Sequence, residues 1–261
     1  MNSDRSGLDF QVTPTDAASK AGLSEYLSLV RSYARSTVPA RIEIQEKYVP
    51  AEPEATIRGG GNLNTSSSAG NLPHCTAGFT VRNDAAQHGM STAGHCASGQ
   101  GYLVHYNQGV GGADSAVRLE RRAVSPYGYD LTWYDKPSAP STFQPTFYVG
   151  YDGASSYRTV RGRTNPVVGS PVGNFGRTNG YHSDAHVTGR DVCADNPCRR
   201  FHITDRAFTA GGDSGGPWFW NNTAYGIHYG KIPNSNGDLR SAFTPVFLLG
   251  YMDIDVWVAS S

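Results

Sequence analysis

Gly212-Asp213-Ser214-Gly215-Gly216-Pro217 is the stretch on which the fold turns. A serine set among glycines can occupy a sharp turn that presents its hydroxyl. The same turn leaves backbone N–H groups free to face a developing oxyanion. Gly212-x-Ser214-x-Gly216 also matches the spacing of the strand-to-helix elbow of α/β-hydrolases. That fold needs an acid and then a histidine after its serine. The one histidine after Ser214 is His228, with no Asp or Glu between them, and this excludes the elbow.

Upstream, Ser91-Thr92-Ala93-Gly94-His95-Cys96 sets a histidine beside a cysteine. Tyr127-Gly128-Tyr129-Asp130-Leu131-Thr132-Trp133 sets an aspartate at the head of an apolar segment. The order along the chain is therefore His, Asp, Ser. With these residues the chain resembles chymotrypsin-like serine peptidases, in particular the bacterial α-lytic/streptogrisin branch. The resemblance covers roughly residues 57–261 and also rests on Gly176-Arg177-Thr178-Asn179-Gly180-Tyr181-His182.

The resemblance implies an all-β fold of two antiparallel β-barrels, with the site in the cleft between them and a short C-terminal helix or turn. The barrels would fall at roughly 70–140 and 145–255, inside a peptidase domain over 56–261. It implies a secreted serine endopeptidase, His95 as general base and then acid, Asp130 as its orienter, and Ser214 as nucleophile. The N–H groups of Gly212 and Ser214 would form the oxyanion hole. Asp114 and Asp135 also lie between His95 and Ser214, but the first sits in a Gly-Gly-Ala-Asp-Ser turn and the second precedes Lys136-Pro137. Arg177 matches the internal arginine of the bacterial branch, which implies a buried Arg177–Asp213 pair.

Two departures bear on specificity. Phe208-Thr209-Ala210-Gly211 lacks the cysteine that the bacterial relatives carry before the serine. No aspartate stands at the base of the pocket, so a trypsin-like preference for Arg or Lys is not expected. Gly226-Ile227-His228-Tyr229-Gly230 looks like the Gly-Ile-His-Trp-Gly of staphylococcal-type glutamyl endopeptidases, in which the histidine binds the substrate's acidic side chain. His228 with Lys231 could satisfy such a carboxylate, which must not be buried unpaired. The alternatives are a structural His228 in an apolar or aromatic pocket walled by Phe208 and Tyr229, or a non-catalytic binding module that keeps the fold.

Composition supports a turn-rich β protein independently. The 261 residues include 31 Gly and 15 Tyr, with 17% charged residues, below the roughly 25% typical of soluble domains. Basic and acidic residues number 22 each, so no net charge advertises nucleic acid or an anionic membrane. No apolar run approaches the length of a membrane span. No cofactor is expected, and the expected partners are polypeptide substrates and the chain's own propeptide, with the chain itself a monomer.

Residues 1–55 read as a leader or propeptide remnant. Thr13-Pro14-Thr15-Asp16 offers a helix start, and Leu23, Leu27, Val30 and Ala34 recur on one helical face. Arg41–Gln45 alternates like a strand, and Pro50, Glu52, Pro53 and Glu54 suggest an extended linker. No signal peptide is visible, so an extracellular location is inferred from the family and the cysteines.

Those cysteines are Cys75, Cys96, Cys193 and Cys198, and spacing alone leaves three connectivities open. Cys193-x4-Cys198-x3-His202, with His182-x3-His186 nearby, offers a zinc alternative of non-standard spacing. The family resemblance implies the pairs Cys75–Cys96 and Cys193–Cys198.

Overall fold

The computed structural model of the chain describes residues 56–64, 75–97, 99, 101–106, 117–136, 143–150, 156–194 and 198–260. The expected N-terminal helix, strand and linker, and Asp114, lie outside the described residues. The described part is dominated by short strands, in keeping with the frequent glycines and the apolar–polar alternation between them.

The first strands are β1 (Ile57–Gly59), β2 (Asn62–Asn64), β3 (Cys75–Thr76), β4 (Thr80–Asn83) and β5 (His88–Thr92). A single 3-10 turn, Gly94–Cys96, follows. Then come β6 (Tyr102–Tyr106), β7 (Val117–Val124), β8 (Thr132–Asp135), β9 (Phe143–Tyr148), β10 (Tyr157–Thr159) and β11 (Gly162–Arg163). The remaining strands are β12 (Pro171–Gly176), β13 (Gly180–Cys193), β14 (Arg200–Thr204), β15 (Pro217–Trp220), β16 (Thr223–Pro233) and β17 (Leu239–Pro245). The last elements are a 3-10 helix, Val246–Met252, which is the expected short C-terminal helix, and β18 (Ile254–Val256).

One sheet of eight strands runs β18-β4-β5-β8-β7-β6-β2-β3 and curls into a half-barrel. A second sheet runs β11-β16-β15-β12-β13-β14-β17, and pairing of β16 with β17 closes six of its strands into a barrel. A small sheet, β1-β9-β10, completes the set. The fold is thus the expected chymotrypsin-like arrangement, with one barrel closed and the other open along one edge.

Alternation explains which faces turn inward. In β7, Val117 and Leu119 are buried while Arg118 between them is exposed; in β13, Ala185 and Val187 are buried between exposed Asp184, His186 and Thr188. The half-barrel fills with Leu63, Met90, Leu103, Leu119 and Tyr134. The closed barrel fills with Val172, Val187, Trp218 and Phe243. A third cluster, which includes Phe79, Phe147, Phe175, Phe219, Ile227 and Leu249, joins residues of both sheets and of the final 3-10 helix. Within it Phe147 meets Phe79 edge-on at 5.5 Å and Phe219 at 4.4 Å. Burying each such ring contributes about 1.5–3 kcal/mol, which fixes the two sheets against each other.

Candidate active site

His95 lies on the 3-10 turn after β5, and Asp130 lies just before β8, the strand that pairs with β5. The pairing of those strands brings the two residues together across 35 positions of sequence. Asp130 Oδ1 accepts the His95 backbone N–H at 2.8 Å, and Oδ2 lies 2.7 Å from His95 Nδ1. The aspartate side chain is 2% exposed and the imidazole 40% exposed, so the pair is anchored inside and open outward. Asp135 is engaged elsewhere, with Arg122 Nε 2.6 Å from its Oδ2.

Ser214 sits on the turn that leads into β15. The turn is built from Asp213 N–H to Ala210 C=O at 3.1 Å, Gly216 N–H to Asp213 C=O at 2.9 Å, and reciprocal 2.8 Å bonds joining Gly215 and Gly216 to His228 of β16. Gly212 and Gly215 have φ of +99° and +86°, where other residues are strained. A side chain on Gly215 would also collide with Thr92 Oγ1 and the Thr76 carbonyl. The Gly212 and Ser214 N–H groups make no hydrogen bond within the described chain, which leaves two donors free beside the serine.

Thr76 is the residue that sequence reasoning missed. Its N–H donates to the Ser214 carbonyl at 2.7 Å. Its hydroxyl donates to the Gly212 carbonyl at 2.8 Å and accepts the Arg177 N–H at 3.1 Å. A threonine beside a cysteine carries no pattern of its own, and these partners lie more than 100 positions away. The Cys75–Cys96 disulfide holds the adjoining strand to the histidine turn. Tyr229 then touches both halves: its ring meets the His95 ring edge-on at 5.7 Å, and its carbonyl accepts the Ser214 hydroxyl at 3.4 Å. No hydrogen bond joins Ser214 to His95 in this arrangement, which is common in unliganded sites.

No side-chain hydrogen bond or ion pair within 4.0 Å joins Arg177 to Asp213, although the Asp213 charge acts on the guanidinium. Fully buried Asp213 instead takes backbone N–H groups: Thr178 at 2.9 Å and Asn179 at 3.2 Å on Oδ1, and Ala210 at 2.8 Å on Oδ2. The 177–180 turn already delivers donors to the carboxylate, so the guanidinium is not needed as its ligand. Burial lowers the Arg177 pKa, the Asp213 charge opposes that shift, and Nη1 is buried without a partner.

The expected pocket residues sit on β16 and on the segment before the serine turn. Phe208 is half-buried, with its ring 5.4 Å from that of Trp218 and 5.0 Å from that of His182. Tyr229 stacks on buried Phe201 at 4.2 Å. Gly230 follows an irregularity in the β16–β17 register, and Lys231 is exposed. His228 is 1% exposed; burial foremost, then the nearby His95 and Lys231 charges, hold its pKa down at about 3 against a bond to the Ala242 backbone.

Cys193 bonds Cys198 with Cα atoms 4.9 Å apart, linking the end of β13 toward β14. That bond removes both thiols from the zinc alternative. Cys75, His95 and Cys96 bring possible ligand atoms within 4.8 Å of one another, yet both sulfurs belong to a disulfide and cannot act as thiolates. A cavity of about 410 Å³ opens elsewhere, beside Arg82, Arg163, Phe247 and Asp253, with none of the candidate site residues in its wall. Among the described residues no helix is long and apolar enough to cross a membrane.

Comparison with known proteins gives the family. The trypsin family model matches residues 62–253. Glutamyl endopeptidase 2 of Streptomyces griseus is 29% identical over 178 residues, which cover 67% of this chain and 85% of that protein. Thermobifida fusca protease A superposes with a TM-score of 0.60 at 25% identity, over 78% of this chain and 100% of that one. A glutamic-acid-specific serine protease that uses a histidine triad in substrate binding superposes with a TM-score of 0.58 at 26% identity, over 77% of this chain and 100% of that one. The chain belongs to the trypsin family and is a chymotrypsin-like serine endopeptidase.

Proposed function

We propose that the chain hydrolyses peptide bonds through a His95–Asp130–Ser214 triad and an acyl-enzyme. The observation that carries this reading is the buried Asp130 carboxylate 2.7 Å from His95 Nδ1, beside a serine turn with two unbonded N–H groups. Ser214 Oγ leaves the Tyr229 carbonyl, turns toward His95 and attacks the scissile carbonyl as His95 takes its proton. Asp130 holds the imidazole in the required tautomer and stabilises the imidazolium. The Gly212 and Ser214 N–H groups receive the oxyanion, where preorganised donors are worth most. His95 then protonates the leaving amine, and water repeats the sequence on the acyl-enzyme.

Labelling with a serine-directed fluorophosphonate tests this directly. Modification should map to Ser214 and vanish in Ser214→Ala. An unlabelled, inactive protein would favour the binding-module alternative.

Primary specificity belongs to Phe208, His228, Tyr229, Gly230 and Lys231. A preference for Glu is supported by the Gly226–Gly230 sequence and by the glutamate specificity in the names of two relatives. It requires an imidazole N–H that faces the substrate. We infer that residues 1–55 act as a removable leader, from the helix, strand and Pro/Glu linker that the sequence offers there, and that the enzyme is secreted, a reading supported by the two disulfides and by the relatives.

A further inference from the structure

We propose that Ser241 and Asn179 are positioning residues for specificity: between them they clamp the two peptide units of Phe208 and hold its ring as a fixed wall of the substrate pocket. This inference rests on the reading above in which Phe208 lines that pocket.

Residues 208–213 lead into the serine turn without forming a strand or helix. Both disulfides lie elsewhere, so no covalent bond ties the segment to the barrel. Contacts of the Phe208 ring with Trp218 and His182 favour its burial but do not fix where the chain runs. The position of the wall must come from its backbone.

Ser241, on β17, supplies one side of the clamp. Its hydroxyl oxygen accepts the Phe208 N–H at 3.1 Å and the Thr209 N–H at 3.4 Å, and lies 2.9 Å from Thr209 Oγ1. A serine hydroxyl has two lone pairs and one proton. The two N–H groups take the lone pairs, so the proton goes to Thr209 Oγ1 and the hydroxyl is saturated. Ser241 is held in turn: it is fully buried, its N–H donates to the Arg206 carbonyl at 3.0 Å, and its carbonyl accepts the Thr204 hydroxyl at 3.1 Å.

Asn179, in the turn between β12 and β13, supplies the other side. Its side-chain amide donates to the Phe208 carbonyl at 2.5 Å, while its backbone N–H donates to Asp213 Oδ1 at 3.2 Å. Beside it the Thr178 hydroxyl donates to the Gly211 carbonyl at 2.8 Å. Phe208 thus has its N–H bonded to a strand and its carbonyl to a turn, which fixes both flanking peptide planes and the direction of its side chain. Asn179 also joins this wall to the carboxylate that braces the serine turn. A substrate side chain pressed against Phe208 is therefore held in register with Ser214, where small misplacements are costly.

The test is a cleavage profile over peptides that differ only in the residue before the cut. It compares wild type with Phe208→Ala, Ser241→Ala, Asn179→Ala and Asn179→Leu. In each clamp variant the ratio of kcat/KM between the best and the worst peptide should fall about tenfold, the worth of one buried hydrogen bond. The fall should come chiefly from a higher KM for the best peptide. Asn179→Leu keeps the volume and loses the donor, so it should match Asn179→Ala.

Should Ser241→Ala fail to fold, the two Asn179 variants decide. An unchanged ratio in them, with Ser214 still labelled by the fluorophosphonate and Phe208→Ala altering the profile, would overturn the inference alone. A lowered Tm with an unchanged ratio would do the same, since it would make the clamp merely structural. An unaltered profile in Phe208→Ala would remove the pocket reading, and the inference with it.

Discussion

Replacing Thr76 by valine removes one oxygen atom and nearly nothing else from the molecule's volume. The residue is fully buried, and its two hydrogen-bond partners are part-buried. Two groups lose their partner: the Gly212 carbonyl, now bonded at 2.8 Å, and the Arg177 N–H, bonded at 3.1 Å. A buried polar group left unsatisfied costs about 1–3 kcal/mol, so the variant should lose about 2–4 kcal/mol. For a domain of this size each kcal/mol lowers Tm by about 2–4 °C, which gives a drop of about 5–15 °C by calorimetry.

Activity should also change, because Gly212 carries one of the two proposed oxyanion donors. A loosened Gly212 should lower kcat about tenfold, a fraction of the 10²–10³ that a whole donor is worth, with KM little altered. Thr76→Ser restores the hydroxyl and should recover most of both losses. A Thr76→Val enzyme with wild-type Tm and kcat would refute the bridging role.

Ser214→Ala and His95→Ala should each abolish turnover by several orders of magnitude, and the double variant should be scarcely worse because the residues act as a unit. Asp130→Asn should lower kcat about 10⁴-fold in a peptide assay, since the amide favours the wrong imidazole tautomer. Denatured but unreduced protein should show no titratable thiol with a thiol reagent; four would refute both disulfides. Mass spectrometry of active enzyme should find an N-terminus near Thr56, whereas full activity with residues 1–55 attached would contradict the leader. Acid should destabilise the fold: His202 and His105 are held at about 4 and His228 at about 3, chiefly by burial. The unfolded chain binds protons near 6.5 that the native state refuses, so each histidine withdraws about 1.4 kcal/mol per pH unit from 6.5 downward until its folded pKa is reached. A Tm that stays flat between pH 6.5 and 4.5 would count against those burials.

The stretches that carry the candidate chemistry could be singled out in the sequence because the turns that hold them are local. Gly212–Pro217 and Ser91–Cys96 carry their conformational requirements within six residues each. The alternation of Ile254 and Val256 likewise reports burial within the strand itself. The long β13 was less legible, since of its fourteen residues only Ala185 and Val187 are buried, too few to raise an apolar period. What holds the serine turn could not be read at all. Thr76 meets Gly212 across 136 positions, Asp213 takes N–H groups from Thr178 and Asn179 rather than the Arg177 guanidinium, and Trp218 reaches His228 across a strand pair. A residue's type and its neighbours determine which hydrogen bonds it can make. Which bond it does make is decided only when sheet closure sets distant donors and acceptors side by side and burial denies them water.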